Sequence, residues 1–523
     1  MIQSYDFLCY KNVNPITMAS FIKEGDLLNN NFSTKIISNS IVYTISGLIQ
    51  KCFSFFLLPL YTAYLTPSDY GLTGISSTFI NTMGFIVAFS LFSSILRFFV
   101  DFKSNPDKLK RFYGTIIIFT FLSGIVFGLL LFLLRGTLSS AVFGGVDFFP
   151  FILIVLISLV FSCQVHIYEN ILRSQQKAFK YAVLSLAYFF VTVICNLFFV
   201  VYLKKGAIGV VLATMIANLL YTLYFIADLL KMRAISFCID IPLLKEALSY
   251  SIPIMPHNLS TQIAQFISMA LIGGTRTIAS LGLYSVALQF GNMADIIQVY
   301  INNAYGPWLY EKLHAKDDGY KNNIASAVSA LCVIIGLFFL CLSLFAHDYI
   351  VLFVKQSYCS SWKYIPLIVG TYAIKTPYYF YINILFYHKK ASKFMFVATL
   401  SSSLINIFLS AFFIPLYGVY GSIVADAISM IIRVGIIVII SKRFESIGIK
   451  LMSFVGNFFV VISFILIGLF PSYLFYSSSF SFVNLFYKFF IIVLYISVFA
   501  IKYRKTLRYY VQTIKGRFSG GKI

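Results

Sequence analysis

Charged residues are scarce in this 523-residue chain. Asp, Glu, Lys and Arg together make up 11% of it, whereas an ordinary soluble domain carries about a quarter. Apolar residues make up 59%, and a single soluble core stops growing at roughly 250–300 residues. The composition therefore excludes a soluble globule and indicates a polytopic membrane protein whose main solvent is lipid.

Acidic residues are the scarcer of the two charge signs, with 18 Asp and Glu against 40 Lys and Arg, a formal net charge of +22. In a soluble protein this excess would suggest a nucleic-acid partner. In a membrane protein it is expected of loops that face an anionic cytoplasmic leaflet. We therefore predict contact with membrane lipids and no nucleic-acid partner.

Several motifs of enzymes are missing from the chain. It has no Asp-x-Asp nucleotide-sugar motif, no phosphate-binding P-loop and no metal-ligand spacing. The sequence therefore predicts no cofactor and no catalytic residues. The eight cysteines give no disulfide framework, and the polar first 35 residues do not resemble a signal peptide.

Long apolar runs predict an all-α membrane protein with fourteen transmembrane helices, since about 20 apolar residues are needed to cross a bilayer. No loop between these runs is long enough for a folded domain, so we expect the helical bundle to carry the function. The predicted spans are 37–62, 71–96, 112–134, 149–172, 180–203, 207–230, 247–272, 281–307, 324–346, 363–386, 394–415, 418–441, 452–475 and 483–502.

Lys and Arg alternate in abundance from loop to loop. With the N-terminus inside, 30 of the 40 fall on the inner side and 6 on the outer side. Cytoplasmic loops carry the excess of basic residues, so both termini are predicted to be cytoplasmic. The predicted organisation is a cytoplasmic segment, two six-helix lobes, a helix pair and a basic cytoplasmic tail, at 1–35, 36–232, 233–442, 443–502 and 503–523.

The first twelve spans contain a weak internal repeat. A shift of 211 residues places Asp69-Tyr70-Gly71 on Ser280-Leu281-Gly282, and a shift of 212 places Gly206 on Gly418. Spans 1–6 then match spans 7–12 in the same orientation, which is typical of carriers that work by alternating access. Recurrence of small residues in any helical bundle is the simpler alternative.

Spans 1, 4, 7, 8, 10 and 12 carry polar side chains three or four residues apart, which places them on one helical face. A polar face is unfavourable in contact with lipid, so these spans are predicted to line a central cavity. Spans 13 and 14 carry no comparable stripe. We therefore predict a twelve-helix working core with two peripheral helices.

Deep charges predict what enters this cavity. Lys51, Lys375 and Arg433 are opposed only by Asp295 and Asp426, and an unpaired buried ammonium requires water, a carboxylate or an anionic ligand. Lys and Arg both bind phosphates, so the three basic residues are candidate substrate ligands for an anion. Structural pairs are the alternative: Lys51 or Lys375 with Asp295, and Asp426 with Arg433.

Other polar residues lie near the predicted inner ends of the spans. Arg97 is a fourth candidate for the cationic site. His257, beside two prolines, is a candidate proton switch, or it bonds the backbone that the prolines free. Glu169 joins Asp295 and Asp426 as a candidate for ion or proton coupling, and Asp228 is expected only to meet water. Three tyrosines are candidates for stacking on sugar rings: Tyr378, Tyr379 and Tyr381.

Five stretches of the chain resemble bacterial polysaccharide flippases of the Wzx type, within the multidrug/oligosaccharidyl-lipid/polysaccharide exporter superfamily. The resemblance runs from about residue 36 to 441, and its most specific parts are the first and third stretches. They are 58–71 (LPLYTAYLTPSDYG), 96–99 (LRFF), 251–260 (SIPIMPHNLS), 282–287 (GLYSVA) and 303–308 (NAYGPW).

This resemblance implies a MATE-like fold of two six-helix lobes and a cationic central cavity. It also implies transfer of undecaprenyl-diphosphate-linked oligosaccharide, for O-antigen or capsule, across the bacterial cytoplasmic membrane. Coupling to an ion or proton gradient, and partnership with a polysaccharide polymerase and a chain-length regulator, are further expectations. Many relatives carry an Asp-Arg pair where this chain has Ser268-Met269, so no role of that pair is carried over.

Two other functions stay open at this point. A multidrug antiporter on the same fold would favour a cavity dominated by carboxylates, which the sequence does not show. A membrane polymerase or glycosyltransferase would require the missing motifs and a sizeable outer loop.

Overall fold

The computed structural model describes residues 42–388, 391, 393–449 and 451–502. The expectations for 1–35 and 503–523 lie outside these described residues. Within them the chain forms helices and connecting turns, without a β-strand. The all-α prediction is therefore confirmed.

A helix lies at each of the fourteen predicted spans, and we number these helices α1–α14. Two short helices, Arg135–Val142 and Gln356–Lys363, lie in the connections after α3 and α9. The long helices are α1 Val42–Tyr64, α2 67–102 (in two parts, Pro67–Val87 and Leu91–Phe102), α3 Pro106–Leu133, α4 Phe148–Ser174, α5 Ala178–Tyr202, α6 Gly206–Lys231, α7 Ile241–Thr275, α8 Ile278–Ala315, α9 Tyr320–Phe353, α10 Ile365–Tyr387, α11 Lys393–Tyr417, α12 Val419–Phe444, α13 Leu451–Leu474 and α14 Phe482–Lys502.

Ten of the helices in the described part of the chain are long and apolar enough to cross a membrane, and up to eleven if the two parts of α2 form one span. The remaining three, α7, α8 and α10, are among the helices with predicted polar stripes. Their polar faces lower their apolar content, as expected of helices that line a cavity. The protein is thus a multi-pass membrane protein, and the count of fourteen spans stays a prediction.

The ends of the helices reproduce the internal repeat. Thr66 caps α2 by accepting a hydrogen bond from the Asp69 nitrogen at 3.1 Å, and Thr277 caps α8 by accepting one from the Ser280 nitrogen, also at 3.1 Å. These are equivalent positions under the 211-residue shift. The cap satisfies N–H groups that have no partner within the helix, so the same device starts the second helix of each lobe.

α2 bends by 49° between its two parts. Phe89 and Ser90, which join the parts, have positive φ angles of 47° and 53°, a region that residues other than glycine rarely occupy. No proline lies near this bend, so the proline pattern did not predict it. The bend redirects the inner third of α2, including Arg97, relative to its outer part.

The start of α7 packs with the first lobe. Leu243 and Ala247 belong to a buried apolar cluster formed mainly by α2, α3, α4 and α6. The preceding connection is held to α3, because the Ser236 nitrogen donates to the Lys110 oxygen at 3.2 Å and a Cβ on Gly114 would clash with the Ser236 oxygen. The predicted lobe boundary at 232/233 therefore precedes a segment that the first lobe still holds.

α13 and α14 dock on the second lobe, against α9 and α10. At the predicted outer end, the Lys488 Nζ of α14 donates to Asp348 of α9 at 2.7 Å, and Lys488 is 0% exposed. His347 is also fully buried, with its Nε2 2.6 Å from the Tyr476 oxygen. A charged network thus fixes the extra helices to the lobe.

Candidate functional site

A cleft between the two lobes would expose polar side chains of the spans that line it. Lipid-facing positions in this fold carry side chains such as Phe408 and Phe459. Polar side chains are exposed on three of the helices predicted to line the cavity and on α2, and Ser463 of α13 is exposed as well. Those on the first group are Lys51 on α1, Ser77 and Asn81 on α2, His166 and Arg173 on α4, and Thr261 and Gln265 on α7.

Lys375 and Asp295 form the central ion pair of the second lobe. The Lys375 Nζ on α10 lies 2.7 Å from the Asp295 Oδ1 on α8. The Tyr379 hydroxyl donates to the same carboxylate oxygen at 2.8 Å, and its ring lies 5.0 Å from the Lys375 Nζ. Both charged side chains keep some exposure, 15% for Lys375 and 30% for Asp295, so a ligand in the cleft can reach them.

Lys51 has no ion pair or hydrogen-bond partner among the described residues, and its side chain is exposed. It lies between two contacts of α1 with α8. One turn before it, Gly47 packs against the Tyr300 hydroxyl, and one turn after it, Phe55 packs against Phe290. Because these residues share a face of α1, Lys51 points into the lobe interface, at the level of the α8 segment that contains Asp295.

The sequence left open whether Lys51 or Lys375 pairs with Asp295, and the structure shows that Lys375 does. Lys375 neutralises it, and Lys51 contributes positive charge without a carboxylate partner in the described structure. An ammonium in this position requires water or an anion. The cleft is thus suited to an anionic group that contacts both lobes.

Asp426 and Arg433 on α12 do not pair with each other. Asp426 accepts from the Asn406 Nδ2 at 2.7 Å. Arg433 donates from Nε to Ser402 at 2.7 Å and from Nη2 to Ser403 at 3.3 Å, and it is 9% exposed. A direct ion pair between them is therefore absent from the described structure, and α11 supplies separate neutral partners to each; their partial mutual neutralisation through space stays a prediction.

The other candidates are dispersed. Arg97 pairs with Asp101 at 2.7 Å on an exposed surface, apart from the Lys375 pair. His257 lies about 24 Å along α7 from its first residue, Ile241. Its Nδ1 is buried without a hydrogen-bond partner in the described structure. Glu169 lies in the first lobe, 4.0 Å from His166.

Two expectations are corrected by the structure. Tyr381 is 1% exposed, donates to the Ile449 oxygen at 2.9 Å and packs against Phe454 of α13, so it cannot stack on a sugar in the cleft. Asp228 does not simply meet water. Its carboxylate lies 2.6 Å from the Lys180 Nζ and accepts from the Tyr168 hydroxyl at 2.7 Å.

An apolar cavity of about 390 Å³ lies between α9, α10, α12 and α13. Ala373, Ile374, Thr376 and Pro377, which flank Lys375 along α10, contribute to its lining. The lining is otherwise almost entirely apolar, with residues such as Phe454 of α13. Sequence reasoning missed this cavity, because it depends on how α13 packs and not on any polar stripe.

The arrangement can bind an anion but shows no chemistry of bond cleavage. No group of three or more His, Cys, Asp or Glu side chains in the described part of the chain is placed to hold a metal ion. In the described part of the chain the candidate charged groups are either close to an oppositely charged side chain or hydrogen-bonded to neutral partners, apart from Lys51. Among the described residues of these spans, Lys51 is thus a cation available to a ligand.

Comparison with known proteins agrees with the fold. A family model described as polysaccharide biosynthesis protein matches residues 36–313, more than half of the chain. Over 151 residues the chain is 26% identical to an uncharacterized membrane protein of Haemophilus influenzae, a match that covers 28% of this chain and 37% of that relative. The part of the chain that matches thus spans well under half the length of that relative.

Two solved structures share the fold over most of the chain. The lipid II flippase MurJ, in an inward closed conformation, covers 89% of this chain and 100% of its own, with a TM-score of 0.67 and 18% identity. An inward-facing multidrug resistance MATE family transporter of the MOP superfamily covers 81% and 98%, with a TM-score of 0.54 and 13% identity. These proteins are a flippase and a transporter, not enzymes. The chain belongs to the polysaccharide biosynthesis protein family, and it shares its all-helical fold with the MurJ and MATE structures.

Proposed function

We propose that this protein is a flippase for lipid-linked oligosaccharides. It moves undecaprenyl-diphosphate-linked repeat units from the inner to the outer leaflet of the bacterial cytoplasmic membrane, with both termini cytoplasmic. The observation that carries the proposal is Lys51, an intramembrane ammonium at the lobe interface without a carboxylate partner in the described structure. A diphosphate supplies the missing negative charge.

Both lobes contribute to the proposed diphosphate site. Lys51 comes from the first lobe and Lys375 from the second, while Arg433 is held by two serine hydroxyls that leave its positive charge uncancelled. A ligand that bridges the lobes gains from each, and its binding changes the relative stability of inward-facing and outward-facing states. Alternating access then carries the diphosphate between leaflets. Arg97, paired with Asp101, has the weakest support among the proposed cationic residues.

The lipid chain requires an apolar path beside this site. The apolar cavity between α9, α10, α12 and α13 lies on the face of α10 opposite Lys375, since Ala373, Ile374, Thr376 and Pro377 line it, and it is the apolar surface that we propose for the chain. Isoprenoid and cavity are both apolar, so burial of the chain there is favourable. The proposed substrate thus has its tail on the second lobe and its diphosphate in the cleft.

Transport against a gradient requires an energy source, and we propose ion or proton coupling. Asp295 and Asp426 are the proposed coupling groups, since each is a carboxylate within a span, with His257 and Glu169 as further candidates. Movement of the product to a polysaccharide polymerase and a chain-length regulator, for O-antigen or capsule assembly, belongs to the same proposal.

Substitution of the two lysines tests the proposal. Lys51→Ala together with Lys375→Ala should abolish export of surface glycan, while full-size lipid-linked repeat units accumulate and the protein remains in the membrane. Lys204→Ala, at an exposed position between α5 and α6, is the matched control and should export normally. Normal export by the double variant would contradict the anion site.

Removal of the gene tests the function itself. We expect mass spectrometry to find complete lipid-linked repeat units and surface staining to find no glycan, because synthesis finishes and crossing fails. Surface display of single repeats would indicate a polymerase instead. Unchanged glycans with new drug sensitivity would indicate a multidrug antiporter.

A further inference from the structure

The inner half of α4 has an exposed polar face that the diphosphate site does not use. His166 and Arg173 are exposed, and Glu169 and Asn170 are half-buried on the same face. In the outer half of α4, by contrast, the exposed residue Ile157 is apolar. A polar exposed face within a span indicates contact with water in the cleft and not with lipid.

Aromatic rings from α1 and α5 join this face. The Arg173 Nη2 donates to the Tyr181 hydroxyl at 2.6 Å, and its guanidinium lies 4.7 Å from the centre of the same ring. Tyr181 in turn meets Tyr43 edge to face at 5.1 Å. We call His166, Glu169, Arg173, Tyr181 and Tyr43 the α4 cluster. Three helices of the first lobe thus present fixed rings beside a carboxylate.

The α4 cluster has unused hydrogen-bonding capacity. The Glu169 carboxylate lies 4.0 Å from both His166 and Arg173 and accepts no hydrogen bond from the residues that the structure describes. The Tyr43 hydroxyl is buried and also without a hydrogen-bond partner among them. A buried hydroxyl without a partner is costly, so a ligand that supplies one is favoured.

The charges of the α4 cluster select the kind of ligand. The α4 cluster contains the opposite charges of Glu169 and Arg173, which offset each other. It therefore has no electrostatic preference for a phosphate or a metal cation. Flat rings together with a carboxylate that accepts hydroxyl hydrogens match a neutral polyol ring, since binding pockets combine aromatic surface with a few placed polar groups.

The α4 cluster lies at a distance from the proposed diphosphate site that one substrate head group can span. Tyr43 precedes Lys51 by eight residues on α1, which is about 12 Å along the helix axis, towards the predicted inner side. Between them, Gln50 of α1 donates to Ser185 of α5 at 3.2 Å, so the wall between the two positions is continuous. A head group whose diphosphate meets Lys51 extends its sugars along this wall.

We propose that the α4 cluster is the sugar subsite of the cleft, where Glu169 accepts sugar hydroxyls and Tyr181 and Tyr43 contact ring faces. This inference rests on the proposed flippase function and assigns the two parts of the substrate to different positions. The diphosphate binds between the lobes, and the oligosaccharide binds to the first lobe. Glu169 then contributes to the specificity for the oligosaccharide.

Two lipid-linked probes test the subsite in proteoliposomes of the full chain. One is the complete repeat unit extracted from the source cells, and the other is undecaprenyl diphosphate carrying a single sugar. Glu169→Ala should raise the KM for the complete unit about ten-fold, because it removes a charged hydrogen bond. Transport of the single-sugar probe should be unchanged. Tyr43→Phe, which removes only an unpartnered hydroxyl, should shift the same KM in the same direction without affecting folding.

Asn170→Ala is the control, since Asn170 lies on the same face and its side chain bonds the His166 backbone oxygen. It should leave both KM values unchanged. An equal reduction in the transport of both probes by Glu169→Ala, or unchanged transport of both, would overturn the proposed subsite. If the unsubstituted protein moves neither probe, the proposed function itself fails, and that outcome is distinct from either variant result.

Discussion

Gly71 of α2 and Gly282 of α8 pack backbone to backbone at the predicted outer end of the cleft. A Cβ on Gly71 would lie 2.9 Å from the Gly282 nitrogen, and one on Gly282 would lie 1.8 Å from the Pro67 oxygen. The two glycines occupy equivalent positions in the repeat, so the repeat places its small residues against each other. In an alternating-access carrier this contact must part before the cleft can open on that side.

Enlarging one of these glycines should favour the state with the outer end open. Gly282→Ala forces α8 away from α2, and overpacking of this kind costs about 1–3 kcal/mol. We expect a cysteine placed at the buried Ser285, close to Gly74, to react faster with a membrane-impermeant maleimide in the Gly282→Ala background. Mass spectrometry of the peptide that contains position 285 measures this labelling.

Gly274→Ala is the matched control for that substitution. Gly274 lies near the outer end of α7, and a Cβ there would meet no atom within 4 Å. This change should leave labelling at position 285 as it is. Equal labelling in the Gly282→Ala and Gly274→Ala backgrounds would show that the glycine contact does not keep the outer end closed.

Removing the carboxylate of Asp295 should strengthen anion binding. Asp295→Asn leaves Lys375 without its ion-pair partner at 2.7 Å, so the ammonium is free for a phosphate. Both side chains are partly exposed, so we expect a gain of about 0.5–1 kcal/mol, which is roughly two- to five-fold in affinity. Binding of undecaprenyl diphosphate to the purified protein checks this. Asp317→Asn, on an exposed surface, should have no effect, and weaker binding in Asp295→Asn would contradict the role of Lys375.

Periodicity and composition predicted the fold better than they predicted the side-chain partners. Runs of about 20 apolar residues locate each helix, because that length is set by the bilayer. Partners depend on how helices meet. Lys375 with Asp295 was one of two possible pairs, and only the packing of α8 on α10 decides between Lys375 and Lys51. The spacing of Asp426 and Arg433 suggested a pair, but α11 supplies Asn406 to Asp426 and Ser402 to Arg433.

Two further features depend on tertiary packing and had no signal in the sequence. The bend of α2 rests on positive φ angles at Phe89 and Ser90, which no glycine or proline marks. Tyr381 follows the stripe residue Tyr378 by three positions. It is nevertheless covered by α13, because its ring packs against Phe454 of that helix and does not face the cleft. A helix wheel cannot show which face a later helix will cover.

Labelling of Cys359 should depend on pH. Cys359 lies in the short helix Gln356–Lys363, outside the spans, and burial raises the pKa of its thiol although Lys363 partly opposes this. The thiolate is the reactive form, so a raised pKa leaves little of it at pH 7, and the rate should rise about ten-fold per pH unit while the pH stays below that pKa. An impermeant maleimide added outside intact cells measures the rate and the predicted topology. Cys359→Ser is the control, and labelling of Cys359 only after the cells are opened would invert the topology.

The buried pair of Lys488 and Asp348 should be sensitive to the loss of one partner and tolerant of the loss of both. Lys488→Met leaves the Asp348 carboxylate, 4% exposed, without its ammonium at 2.7 Å, and breaking a buried pair in this way costs about 3–5 kcal/mol. Replacement of both residues by apolar ones of similar volume, Lys488→Met with Asp348→Leu, removes the uncompensated charge and should recover most of that loss. Thermal unfolding of the purified protein in detergent measures both effects.

Since α13 and α14 also pack through apolar contacts, such as that of Gly468 with Leu344, these helices should remain docked in the double variant, which should continue to export glycan. A double variant as unstable as Lys488→Met would mean that the charges themselves, and not their mutual compensation, hold these helices on the second lobe.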